Sequence, residues 1–118
     1  MIIYKKFFFE AAHFMPDFPN KHRYNKIHGH SYELIIHLNK KLTTEDNWVV
    51  DFEEIEKRVK PLIRKIDHNL LNEIKGLENP TSENLARWFW KKLKPKLTCI
   101  DKIEINRPRV GGCIFDGT

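Results

Sequence analysis

The sequence predicts an α+β fold, a four-stranded antiparallel sheet with two helices on one face in the order ββααββ. Three observations lead there. The N-terminal third holds two runs rich in β-branched and aromatic residues. The middle of the chain places its apolar residues at helical spacing. The C-terminal part returns to two short strand-like runs around a turn. At 118 residues the chain has the length of one domain, spanning 1–118, large enough to bury a core without disulfide or metal staples.

Residues 2–14 ("IIYKKFFFEAAHF") and 30–38 ("HSYELIIHL") are the first two strands. The loop between them, "MPDFPNKHRYNK", carries two prolines and two asparagines. A structureless connection of that length in a small domain is more often functional than decorative. After "TTEDN" the period changes. Asp51 followed by Glu54 reads as a capping box, and Phe52, Ile55, Val59, Leu62, Ile63 and Ile66 recur at helical spacing. Pro61 lies inside this pattern and predicts a kink or break. A second helix starts near "NPTSEN" with Thr81 as N-cap and turns Leu85, Trp88, Phe89 and Leu93 inward. The closing strands are "CIDKIEINR" and "GCIFDG", joined through "PRVG". Such a sheet has two open edges and one face without helices, so the sequence predicts edge-to-edge pairing with further copies of the chain.

Hydrophobic and charged contents of 41% and 31% are those of a globular protein, and no apolar stretch approaches the ~20 residues of a membrane span. No secretory signal precedes the first strand, which makes a cytoplasmic location the expectation. Cys99 and Cys113 sit in apolar, strand-like contexts and are expected to be small buried residues rather than a disulfide. The net charge of +5 admits an anionic partner. Its lysines and arginines are dispersed and no nucleic-acid-binding signature accompanies them, so a small anionic molecule is favoured over nucleic acid or a membrane surface.

The chemistry is concentrated in the histidines. In "KIHGHSYEL", residues 26–34, side chains two apart on a strand share a face, so His28 and His30 can reach one metal ion. A third ligand is expected from His13, at the end of the strand that would pair with them across the loop. Three histidines facing one point give an open zinc site that keeps a position for water or substrate. A single histidine of this kind is more often a hydrogen-bonded core or surface residue; the set points to metal. In "DHNLLN", Asp67 and His68 follow the first helix, and a carboxylate beside an imidazole fixes its tautomer and suits it to acid or base work.

With these residues in place, the sequence resembles the 6-pyruvoyltetrahydropterin synthase group, and within it the bacterial 6-carboxytetrahydropterin synthases of queuosine biosynthesis. The likeness runs through "FEAAH", "HGHSY", "VVDFEEIEKRVKP", "DHNLLNEIKGLENPTSENLARWFW" and "GGCIF", in that order. The resemblance implies the tunnelling fold (T-fold), a homohexamer of two stacked trimers with active sites at subunit interfaces, and Zn²⁺ held by His13, His28 and His30. It implies a lyase acting on 7,8-dihydroneopterin triphosphate or a related pterin, with Asp67 and His68 moving protons and Thr81 among the substrate-binding residues. Two positions depart from the family pattern. Tyr24 stands where close bacterial relatives have a cysteine base, with His22 as the other candidate for that role. Arg107 stands where the family has a glutamate that anchors the pterin ring; a guanidinium offers donors only, so it suits carboxylate, phosphate or carbonyl acceptors. Glu104, three residues away on the strand, is expected on the opposite face. Three readings follow: a zinc lyase on the usual pterin, a diverged enzyme with an acceptor-rich substrate, and a catalytically silent zinc-binding or ligand-binding protein.

Overall fold

The computed structural model describes residues 1–19 and 22–118. Its four strands, β1 (Ile2–His13), β2 (His28–Asn39), β3 (Ile100–Arg107) and β4 (Gly111–Phe115), form one antiparallel sheet in the order β1-β2-β3-β4. Helices α1 (Phe52–Ile66) and α2 (Ser82–Leu93) connect β2 to β3 and pack on one face, α1 against β1 and α2 against β3 and β4. The expected ββααββ layout is present. No described helix is long and apolar enough to cross a membrane.

Strand alternation decides which side chains meet the helices. Phe7, Phe9 and Ala11 of β1, Tyr32, Leu34, Ile36 and Leu38 of β2, and Ile103 and Ile105 of β3 are buried against Ile55, Val59, Ile66, Leu85 and Phe89. Phe9 stacks on Tyr32 at 4.8 Å between ring centroids. β2 opens two residues earlier than the sequence indicates, so both ends of the His-Gly-His motif lie within the strand. The register shifts between His37, opposite Lys102, and Leu38, opposite Ile100. The extra residue, Asp101, lets Ile100 and Ile103 both face the core although they are three apart.

Two expectations for α1 need correction. Pro61 neither ends nor interrupts the helix. Proline there removes the donor to the carbonyl of Lys57, but both residues lie on the exposed face, where a carbonyl without an intrahelical donor is open to solvent. Phe52 is not inward but 50% exposed, with the Lys5 ammonium 5.6 Å from its ring centroid. The N-cap is Asp51, whose carboxylate accepts from Glu53 N. Thr81 caps α2 as expected, its hydroxyl accepting from Asn84 N. Cys99 and Cys113 are free thiols, half-buried rather than buried.

After α1 the chain lies along the free edge of β1. His68 N donates to Glu10 O at 2.6 Å, Ala12 N donates to Asn69 O at 3.0 Å, and Ala12 and Leu70 form a parallel bridge. Part of one open edge is thereby covered by the chain itself. The helix-free face keeps Tyr4, Phe8 and Ile114 exposed.

Candidate metal centre

Registry between β1 and β2 builds the histidine cluster. His13 pairs directly with His28, and Ala11 with His30, so the three imidazoles project from the helix-facing side of one hairpin end. One ring nitrogen from each lies within 4.8 Å of the others. The His13 and His28 rings are 4.5 Å apart and those of His28 and His30 4.9 Å.

Backbone carbonyls orient the rings. His13 Nδ1 lies 3.0 Å from Pro80 O and His28 Nδ1 2.7 Å from Lys26 O. A carbonyl only accepts, so each Nδ1 carries the proton and each neutral ring turns the Nε2 lone pair toward its neighbour. Burial, reinforced by the neighbouring histidines and Arg107, pushes the His13 pKa down to about 4, against the pull of the Pro80 bond. His30 is lowered as well, by burial first and then by Arg107. Metal coordination needs neutral imidazoles, and burial favours that form at His13 and His30. Three histidines with converging nitrogens fit the open tetrahedral site of Zn²⁺.

A cleft of about 370 Å³ opens beside the cluster, lined by His13, His28, Tyr24, Ser82 and Arg107. That volume holds a bicyclic heteroaromatic molecule. Tyr24 stands in a short 3-10 turn, Arg23–Asn25, with its ring 6.2 Å from that of His28 and its hydroxyl 3.2 Å from Arg23 Nη2. His22 points its Nδ1 at Tyr24 N, 3.1 Å away, and stacks near Phe18; it serves the turn and does not line the cleft. Thr81 lines the cleft with an oxygen already engaged in capping α2. Arg107 Nη1 is 3.3 Å from His30 Nε2, while its Nε is buried with no partner among the described residues. Glu104 is on the other face, as expected, hydrogen-bonded to His37.

Within one chain Asp67 and His68 do not join this cluster. Asp67 accepts from Glu10 N at 2.9 Å and from His68 Nδ1 at 3.0 Å. These two bonds, in that order, hold its carboxyl below the usual range. His68 adopts φ of 59°, uncommon for a side chain of its size, and its imidazole is largely exposed beside a second cavity that includes Glu10, Gly29 and Ser31. The same cavity includes Ala11 and His30, and the backbone bonds to Glu10 and Ala12 put the dyad at the free edge of β1.

Sequence reasoning missed Ser82. The residue is only 8% exposed, and its buried hydroxyl has no hydrogen-bond partner among the described residues. The signal available was its position just after a helix N-cap, where a small polar residue meets free backbone N–H groups.

The comparisons agree with this geometry. Residues 2–117 match the family model described as 6-pyruvoyl tetrahydropterin synthase. Over 112 residues, 87% of this chain and 85% of the relative, the sequence is 38% identical to a 6-carboxy-5,6,7,8-tetrahydropterin synthase of Synechocystis sp.. It is 30% identical over 96 residues to a dihydroneopterin monophosphate aldolase of Pyrococcus furiosus, covering 81% of this chain and 76% of that one. The fold superimposes on the 6-pyruvoyl tetrahydropterin synthase of Caenorhabditis elegans with a TM-score of 0.88 at 20% identity, covering 100% of this chain and 96% of the other.

Proposed function

Because the chain belongs to the 6-pyruvoyl tetrahydropterin synthase family, we propose that it is a zinc-dependent lyase that cleaves the side chain of a pterin, as a cytoplasmic homohexamer of two trimers. The observation that supports this best is the convergence of His13, His28 and His30, two of them with tautomers fixed by backbone carbonyls. Zinc bound there supplies Lewis-acid polarisation of substrate hydroxyls. The protein's own residues do the rest. The cleft excludes water from one side of the substrate. Tyr24 is a group on its wall that can exchange a proton with a substrate carbon or hydroxyl.

Asp67 holds His68 in one tautomer, accepting from Nδ1 and leaving Nε2 to take or give a proton. Its location along the β1 edge suits a site completed by a neighbouring subunit, where an exposed imidazole becomes enclosed. A binding protein has no need of such a dyad, so an enzyme is favoured over a silent zinc protein. The kinship to a dihydroneopterin monophosphate aldolase and the presence of Arg107 favour a second reading, retro-aldol cleavage of a phosphorylated or otherwise acidic pterin.

Incubation of the zinc-loaded protein with 7,8-dihydroneopterin triphosphate, followed by mass analysis, tests the proposal. Carboxytetrahydropterin is the expected product; a hydroxymethyl-pterin with a two-carbon aldehyde fragment supports the second reading. Unchanged substrate from both the triphosphate and the monophosphate overturns both.

A further inference from the structure

Beside the histidines, the cleft is lined by Arg107 and Ser82, each with a buried polar atom that lacks a partner among the described residues. Arg107 Nε is buried with no partner among the described residues. Its Nη1 leans on the Nε2 lone pair of His30, the same lone pair that a metal would take. Ser82 Oγ is buried and also without a partner. At the start of α2, Asn84 N is capped by Thr81 and Leu85 N bonds to Thr81 O. That leaves the N–H groups of Ser82 and Glu83, at the positive end of the helix dipole, with no intrahelical acceptor. Buried donors left unpaired are costly, and a guanidinium, a hydroxyl and a helix N-terminus around one cleft share a single complement. The acid on the rim, Glu83, is exposed and forms no ion pair with Arg107 among the described residues.

The geometry points to an oxyanion subsite in this cleft, where Arg107, Ser82 Oγ and the first turn of α2 hold a carboxylate or phosphate group of the substrate. A pterin's N–H edge would meet donors at that wall and be repelled. The inference rests on the reading of the cleft as the substrate site and narrows its substrate class to acidic molecules.

The test is calorimetric titration of the zinc-loaded protein with inorganic phosphate, with benzoate as a planar carboxylate, and with neopterin as a ligand without a charged group. Wild type, Arg107→Gln, Arg107→Glu and Ser82→Ala are compared, with zinc content and thermal unfolding measured on each. Loss of a charge-assisted hydrogen bond should weaken the preferred anion about tenfold or more in Arg107→Gln. Ser82→Ala should weaken it severalfold while leaving stability unchanged or raised, since the hydroxyl it removes has no partner in the fold. Phosphate binding more tightly than benzoate identifies a phosphoryl group as the occupant, and the reverse identifies a carboxylate. Arg107→Glu should lose both anions and gain neopterin binding by about tenfold. Anion binding that is equal in wild type and Arg107→Gln overturns the subsite, as does wild type binding neopterin as tightly as Arg107→Glu; in the latter case the pterin reading survives. Anion binding with the expected variant pattern, but no product from either dihydroneopterin phosphate, leaves the subsite standing and removes the pterin reading instead.

Discussion

The Nε2 atoms of His13 and His28 face each other at 3.0 Å, and both rings spend their Nδ1 protons on backbone carbonyls. Two bare lone pairs at that distance repel unless a cation stands between them. Folding positions both rings through β-sheet register and two main-chain acceptors, so the cluster is held ready for metal at the expense of local electrostatics.

Purified protein should therefore contain about one zinc per chain, and His28→Ala or His30→Ala should lose most of it, because two remaining ligands cannot hold the ion. Elemental analysis after dialysis reads this directly. Full occupancy in either variant would refute the site.

Tyr24 separates a proton-transfer role from mere lining. Tyr24→Phe keeps the ring against His28 and Phe18 and removes only the hydroxyl. If the phenol moves a proton, kcat should fall about a hundredfold or more with KM and zinc content little changed. A kcat within a factor of about two of wild type would hand that role to another group.

Asp67 ties the post-helix segment to β1, and its depressed pKa fixes the sign of a pH effect. The stabilisation is present above the ordinary value of 3.8 and is lost as pH falls through the lower, folded-state value. Hydrogen exchange at the Glu10 amide should accelerate in that acid range, and Asp67→Ala should produce the same acceleration at pH 7. Exchange that is insensitive to both changes would mean the segment is held by its backbone bonds alone.

Light scattering should give a mass of about six chains, since the edge of β4 and the exposed Tyr4, Phe8 and Ile114 on the helix-free face are left for further subunits. A stable monomer at micromolar concentration would count against a site shared between subunits.

Thr81→Ala should cost about 1 kcal/mol of stability through loss of the α2 cap. Zinc content should be unchanged, because the histidines lie on the sheet. A drop in zinc content would show that the Pro80 carbonyl, one residue before the cap, depends on it to orient His13.

By itself the sequence determined the layout of the sheet, the inward faces of both helices, the Thr81 cap and the common face of His28 and His30. Each follows from a local period or a local hydrogen bond, with a repeat of two residues on strands and 3.6 on helices. The same periodicity placed Glu104 away from Arg107. The helical period misplaced Phe52, and the rule for proline misjudged the break at Pro61, because whether an exposed ring or the donor-less carbonyl of Lys57 is tolerated depends on which groups water reaches. Tertiary structure alone decided the chemistry of the site. Pro80 reaches His13 across 67 residues of sequence, the segment after α1 settles on the free edge of β1 and carries Asp67 and His68 there, and Ser82 and Arg107 meet at one cleft with polar atoms unspent. These are non-local contacts fixed by how the helices seat on the sheet, and no period within a segment records them.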